Sequence, residues 1–152
     1  MRLTIRGEDV ESHVRAIWSD TLGIEVLPAL FVEVGGCLDF LSGIVRIKGD
    51  WQGAVELRCH ESAAWLALNA MAPLEDSIAS HGALVDIVAE LTNMTAGGIR
   101  ALIEGSCDLS VPEVASGSAS CPTWGGGHVA IAEFGFLCGG EPVFVRLLER
   151  AD

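Results

Sequence analysis

Apolar residues in the segment 84–104 recur at helical spacing and define the longest predicted element. Wound at about 100° per residue, the segment has one apolar side. That side carries Leu84, Ile87, Val88, Leu91, Thr95, Ile99 and Leu102. The opposite side carries Asp86, Glu90, Asn93, Gly97, Arg100 and Glu104. The pattern predicts a helix that begins between Asp76 and Ser80, runs to about Glu104 and ends at Gly105.

The apolar and polar pattern also predicts two more helices and a set of strands. One helix covers residues 8–22, with acidic residues in its first turn and Gly23 at its carboxyl end. The other covers the alanine-rich segment 61–71 before Pro73. Alternating or continuous apolar patterns predict strands at 1–7, 30–34, 38–48, 54–59, 109–116, 128–138 and 143–148, with a loop at 116–127.

The residue pattern within the predicted strands indicates which side chains face the core and where the sheet has its margin and its turns. Val55, Leu57 and Cys59 should face the core, whereas Glu56 and Arg58 should face outward. Pro112 should place its segment at the margin of a sheet, and Gly139-Gly140 should close a hairpin. Because strands and helices are segregated, we expect an α+β fold, a two-layer sandwich. Its mainly antiparallel sheet would carry long helices on one face, in a single domain over residues 1–152.

Composition excludes several functional classes. Nine basic and 21 acidic residues give a net charge of −12, which argues against a nucleic-acid partner. No apolar run approaches the roughly 18 residues of a membrane span, and the first residues lack a secretory pattern. We therefore expect a cytoplasmic protein without membrane insertion. The five dispersed cysteines form no C-x-x-C pair, so we expect reduced thiols and no metal site.

The polar side of the 84–104 helix holds the candidate chemistry. Glu90 and Asn93 are three residues apart and therefore neighbours on a helix, with Asp86 one turn earlier. A carboxamide offers an acceptor and two donors, enough to hold and orient a water molecule. From spacing alone, a solvated polar face is the better explanation of these residues, because the E-x-x-N pattern is common.

The motif as a whole resembles a known family. Asp86-Ile-Val-Ala-Glu90-Leu-Thr-Asn93, followed by Pro112, looks like the signature of the CheC/CheX/FliY chemotaxis phosphatases, with CheX the nearest type. Asn93-Met-Thr-Ala-Gly97 matches a run found there, and segments near Gly53 and Glu61 are also similar. The spacing of 19 positions between Asn93 and Pro112 is shorter than usual in the family.

The resemblance implies a function and a role for each site residue. It implies a phosphatase that acts on the aspartyl phosphate of a CheY-like receiver, with Mg²⁺ held by the receiver and no cofactor on this chain. Glu90 and Asn93 would be the catalytic pair, Asn93 orienting water and Glu90 pairing with a receiver lysine. Asp86, Gly97 and Pro112 would belong to the partner-binding surface.

Two further expectations concern assembly and a rival function. CheX-type proteins with one signature form pairs, and the strand at 128–138 lacks Lys and Pro, so we expect a homodimer joined through that strand. The alternative to a phosphatase is a module of the same fold that binds the receiver without turnover. A sensor of small molecules has no sequence feature in its favour.

Overall fold

The computed structural model describes residues 5–29, 39–71, 80–116 and 127–151. Its helices are α1 (Gly7–Arg15), α2 (Glu61–Met71) and α3 (His81–Arg100). A π-helical segment, Ala16–Thr21, continues α1. The strands are β1 (Val26–Ala29), β2 (Phe40–Gly49), β3 (Gly53–His60), β4 (Cys107–Leu109), β5 (Glu113–Ser116), β6 (His128–Cys138) and β7 (Glu141–Arg150).

The seven strands of the described residues belong to one antiparallel sheet. Its order is β1-β6-β7-β3-β2-β4, and β5 also pairs with β2. Because β4 pairs with the end of β2 at Ile47–Gly49 and β5 with its beginning at Leu41–Ile44, the two short strands form one interrupted edge. Pro112 lies between them, as predicted for a proline at a sheet margin. The predicted α+β class with an antiparallel sheet is confirmed.

Two predicted turns have clear local causes. Gly139 and Gly140 have φ angles of 60° and 84°, which suit the two-residue hairpin turn between β6 and β7. Gly23, with a φ of 71°, ends the first helical segment, and its N–H donates to the Ser19 carbonyl at 3.1 Å. All three glycines supply backbone conformations that other residues adopt at a cost.

The helices pack on one face of the sheet and enclose the main core. Val55, Leu57 and Cys59 face this core, as the alternation in β3 predicts. Their neighbour Glu56 points to the other face but is only 1% exposed, with its Oε1 3.0 Å from Arg146 Nε. The alternation therefore predicted the correct face for Glu56 but not its burial, in which the carboxylate is paired with Arg146 on the neighbouring strand.

Several boundaries differ from the predicted ones. The strand expected at 1–7 does not continue to its end, because α1 begins at Gly7, while residues 1–4 lie outside the described part. The segments 30–34 and 117–126 also lie outside it. The long helix ends at Arg100 instead of Glu104. The chain turns through Ala101–Ile103 to Gly105, whose φ is 98°.

The strand β6 is not an edge strand along its whole length. Its last residues, Gly135–Cys138, pair with β1. The earlier part of β6 pairs with β7 on one side and with no other described strand. A register shift between Ala130 and Ala132 interrupts this part. The expectation of a free β6 edge was thus wrong for the carboxyl-terminal end of the strand.

Candidate functional site

The helix α3 starts at a well-formed amino-terminal cap. Ser80 has extended backbone angles, and its Oγ accepts a hydrogen bond from the Ala83 N–H at 3.1 Å. Such a cap satisfies one of the N–H groups that the first turn leaves unpaired. Ser80 is one of the two residues predicted to begin the helix, so the amino-terminal boundary is confirmed.

Two threonines and a glycine determine which side of α3 faces the sheet. Thr92 and Thr95 are buried, and their Oγ1 atoms donate to the Val88 and Leu91 carbonyls at 2.6 and 2.7 Å. A Cβ on Gly43 in β2 would lie 2.0 Å from Thr92 Oγ1, so the helix approaches the strand too closely for any side chain there. Buried Thr92 therefore directs the next residue, Asn93, away from the sheet.

The opposite side of α3 presents the predicted site residues to solvent. Asp86, Glu90 and Asn93 are all exposed. None of the three side chains has a hydrogen bond or ion pair with another described residue. Because Glu90 and Asn93 are one turn apart on a rigid helix, a carboxylate and a carboxamide are available together to an approaching molecule.

The glycines at the end of α3 have different surroundings. A Cβ on Gly98 would lie 2.8 Å from His13 Nδ1, so the close approach of α1 explains this glycine. A Cβ on Gly97 would meet nothing within 4 Å. Because glycine weakens a helix interior by about 1 kcal/mol, packing within the described chain does not account for Gly97.

Two further residues, Arg100 at the end of α3 and Pro112 beyond it, lie near the exposed side of the helix. Arg100, predicted on the polar stripe, donates from Nε to the Cys107 carbonyl at 2.8 Å and ties the end of α3 to β4. Pro112 is half-buried directly before β5, a strand that packs beside α3. Pro112 thus lies at the sheet edge nearest to α3, whereas Asp86, Glu90 and Asn93 lie on the helix itself.

The close contact of Gly43 with Thr92 was missed from the sequence. The sequence signal is a glycine inside a strand, which often marks a close backbone approach. The spacing along α3 places Thr92 near the apolar stripe, but it does not show which strand residue it meets. Gly43 and Thr92 are positioning residues, since they act on Asn93 through the placement of the helix.

The cysteines in the described part of the chain are buried, which does not suit them to nucleophilic chemistry. Cys59, Cys107 and Cys138 are free and buried. Burial raises the pKa of the Cys138 thiol to about 12. Burial first, and the neighbouring Cys138 second, raise the pKa of the Cys59 thiol as well. Among the described residues, no three or more His, Cys, Asp or Glu side chains are grouped to hold a metal ion.

Within the described part of the chain, no helix is both long and apolar enough to cross a membrane. The longest described helix, α3, has 20 residues but is not apolar enough for a membrane span. Its exposed polar side carries Asp86, Glu90 and Asn93.

The structure is an α+β fold in which a long helix, α3, packs on an antiparallel sheet. The outer side of this helix presents polar residues to solvent. The family model described as chemotaxis phosphatase CheX matches residues 41–125, more than half of the chain. The chain therefore belongs to the CheX family of chemotaxis phosphatases. The matched segment includes all of α3 and Pro112.

Solved structures share the fold. Chemotaxis protein CheX from Vibrio vulnificus is 19% identical, with a TM-score of 0.73 over 98% of this chain and 100% of that one. CheX from Desulfovibrio desulfuricans is 21% identical, with a TM-score of 0.70 over 94% and 98%. A CheX–CheY–BeF3–Mg²⁺ complex from Borrelia burgdorferi is 19% identical, with a TM-score of 0.65 over 95% and 97%. No curated protein matches the chain by sequence.

Proposed function

We propose that this chain hydrolyses the aspartyl phosphate of a CheY-like receiver protein. The observation that carries the proposal is the exposed Glu90 and Asn93 pair on α3, in a member of a chemotaxis phosphatase family. Both side chains have no interaction within the described chain and are available to a partner. The reaction would take place in the cytoplasm, where we expect the receiver.

In the proposed mechanism, Asn93 orients the attacking water. Its amide holds water by accepting and donating hydrogen bonds, and it takes up no proton at neutral pH. In GTPases a glutamine positions the water in a comparable way. An acyl phosphate is already activated, so positioning a water in line with the phosphorus supplies most of the acceleration.

Glu90 serves as the anchor for the receiver. A carboxylate on the exposed side of α3 pairs with a receiver lysine next to the phosphorylated aspartate. Asp86, one turn earlier, extends the same negative edge of the helix. The net charge of −12 favours the approach of a partner with a positive surface.

Gly97 and Pro112 shape the remainder of the docking surface. The open space around Gly97 lets the receiver backbone approach α3, since no described residue occupies it. Pro112 contacts the receiver from the neighbouring sheet edge. These two assignments follow the family signature and the positions of both residues beside the exposed side of α3.

The metal belongs to the partner in this proposal. The Borrelia burgdorferi complex pairs a CheX with CheY, BeF3 and Mg²⁺, which supports a receiver that carries the ion. Mg²⁺ on the receiver would neutralise charge on the phosphoryl group, while this chain contributes the side chains of α3. We propose no cofactor on this chain.

We also propose that two copies associate through β6. The part of β6 before Gly135 has β7 on one side and no described strand on the other. Val129 and Ile131 in this part are 56% and 41% exposed. An unpaired edge with exposed apolar residues is suited to pairing with a second copy.

The proposed function is tested by phosphate release from a purified CheY-like receiver of the same organism, charged with acetyl phosphate. Addition of the chain in small molar amounts should speed release of phosphate beyond the receiver's own rate. The alternative, a module that binds without turnover, predicts a stable complex with the activated receiver and no acceleration. Acceleration supports the phosphatase, and binding without acceleration supports the alternative.

A further inference from the structure

A cavity lies away from the exposed side of α3. Its volume is about 360 Å³, and the described residues around it come from β2, β3, β6 and β7 and from Gln52 and Gly127 next to them. Four of them are basic side chains: Arg46, Lys48, His128 and Arg150. The chain contains only nine Lys and Arg residues against 21 acidic ones, so three of the nine surround this single cavity.

Strand register puts these residues on the face of the sheet opposite to the helices. Ile47 and Leu147 face the helical core, so Arg46, Lys48 and Leu148, which alternate with them, face the other way. Arg46 lies opposite Ala54, which pairs with Leu148, and Arg150 lies opposite His128. Directly opposed residues of an antiparallel pair share a face. The basic groups therefore converge over one corner of the sheet.

Three side chains beside the cavity can donate hydrogen bonds to a ligand. Arg150 Nη1 donates to Gln52 Oε1 at 2.7 Å, which holds the guanidinium beside the cavity and leaves its other N–H groups available. Nδ1 of His128 is buried without a hydrogen-bond partner among the described residues. Lys48 is exposed, with an ammonium group that is free to turn toward a ligand.

The nearby carboxylates compensate only part of this positive charge. Glu113 Oε1 lies 3.0 Å from Arg46 Nη1. Asp108 is paired opposite Lys48 but is exposed to solvent, and Asp50 accepts a hydrogen bond from the Ser106 N–H at 2.7 Å. No described carboxylate lines the cavity itself. Arg150 and Lys48 remain as two cations, which matches the charge of a phosphate dianion.

We propose that this basic cavity binds a phosphate group, as inorganic phosphate or as the phosphate of a small phosphomonoester. Arg46, Lys48 and Arg150 would contact the phosphate oxygens, because guanidinium and ammonium groups form the strongest hydrogen bonds with such anions. A volume of about 360 Å³ also accommodates a small organic group attached to the phosphate. This site is independent of the function proposed for α3.

Titration calorimetry of the full chain with sodium phosphate, at constant ionic strength, tests the proposal. Lys48→Gln and Arg150→Gln should each weaken phosphate binding about tenfold, as expected for the loss of one charged contact. Arg15→Gln is the matched control, since it removes one charge from α1, which contributes no residue to the cavity. It should leave the affinity unchanged. Glu113→Gln should strengthen binding, because it releases Arg46 from its carboxylate partner.

Amide chemical shifts in heteronuclear NMR locate the phosphate on the unmodified protein. Phosphate should shift the signals of Gln52, Gly53, Gly127 and Arg150, which surround the cavity. Adenosine 5′-monophosphate and adenosine distinguish the two sources of phosphate. Tighter binding of the monophosphate identifies a phosphomonoester site, and equal binding identifies a site for phosphate alone. Adenosine should not bind.

Three results would overturn the proposal. The first is the absence of heat and of shifts at about 10 mM phosphate, a concentration far above any useful affinity. The second is an equal loss of affinity in Arg15→Gln and in the cavity variants, which would indicate a general charge effect. The third is binding of adenosine as tight as that of its monophosphate.

Discussion

At the scale of single residues, Glu90 and Asn93 contrast with the buried positions of α3. Thr92 and Thr95 satisfy their hydroxyl groups on the helix backbone, whereas the two site side chains have no described partner. Exposed residues without interactions contribute little to the free energy of unfolding. Substitutions at Glu90 and Asn93 should therefore change receiver binding or turnover while leaving the free energy of unfolding nearly unchanged.

Glu90→Lys should weaken binding of the activated receiver about tenfold or more at low ionic strength. The substitution reverses one charge of the proposed pair, and salt should reduce the loss because it screens exposed charges. Receiver binding is measured by fluorescence anisotropy at two salt concentrations. Glu25→Lys makes the same change at another exposed residue and should have little effect. Unchanged low-salt affinity of Glu90→Lys would refute its role as anchor.

The buried thiols of Cys59 and Cys138 should make the protein less stable in alkali. In the folded state the pKa of Cys138 is raised from 9.0 to about 12, so the thiol stays protonated while the unfolded chain loses its proton above about pH 9. Stability should be fully present below pH 9 and decline from there toward pH 12. Each thiol contributes about 1.4 kcal/mol per pH unit.

Urea unfolding between about pH 8 and pH 10 measures this decline. The chain has no tyrosine and a single lysine, so the other three cysteines are the main further side chains that titrate in that range in the unfolded chain, and they are the same in the double variant of Cys59 and Cys138. A Cys59→Ala/Cys138→Ala variant should start from a lower stability but decline less steeply. Parallel pH profiles for the variant and the unmodified protein would contradict this explanation.

At the scale of elements, the position of α3 depends on its contact with β2. The space between them admits no Cβ at Gly43, and Thr92 occupies it. On the outer side of the same helix, Gly97 has nothing within 4 Å of its missing Cβ. These two glycines therefore serve opposite purposes, one for packing inside the domain and the other, by our proposal, for docking outside it.

Gly43→Ala and Gly97→Ala form a matched pair of one-carbon additions. Gly43→Ala should destabilise the fold by about 1–3 kcal/mol, because the added methyl group overlaps Thr92. Gly97→Ala should stabilise it by about 0.5–1 kcal/mol through helix propensity, yet weaken receiver binding. Denaturant unfolding and receiver binding are measured on both variants. Unchanged receiver binding of Gly97→Ala would exclude a close approach at that residue.

The body of α3 could be predicted from the sequence, but its end could not. The apolar residues from Leu84 to Ile99 are buried as their periodicity indicates. The pattern continues through Leu102 to Glu104, yet the helix ends at Arg100. Two contacts outside the helical repeat accompany this end: Arg100 donates to the Cys107 carbonyl seven residues later, and the distant Asp50 accepts from the Ser106 N–H. A local periodicity contains no information about such contacts.

At the scale of the whole molecule, the edges of the sheet determine what can associate with it. One edge consists of β4 and β5, and at the other side β1 covers only the last residues of β6. The single-domain assignment over residues 1–152 and the homodimer stay predictions. The sequence pattern of β6 predicted an apolar strand. It did not predict that β1 would pair with β6, because alternation alone does not specify which strands are neighbours.

Light scattering should give twice the chain mass of 16.0 kDa if β6 pairs with a second copy. Val129→Lys should shift the protein toward the monomer, since it places a charge at the proposed interface. Val111→Lys is the control: Val111 is 80% exposed but lies between β4 and β5, at the opposite edge. A monomer at micromolar concentration, or equal effects of both variants, would exclude a dimer through β6.

The most direct test of the central claim is multiple-turnover phosphate release from excess phosphorylated receiver by Asn93→Ala. Because the water would no longer be positioned, we expect a rate at least about 100-fold lower, with receiver binding and thermal stability nearly unchanged. Asn69→Ala removes an exposed asparagine from α2 and should retain full turnover. Substantial turnover by Asn93→Ala, or equal losses in both variants, would contradict a water-positioning role for Asn93.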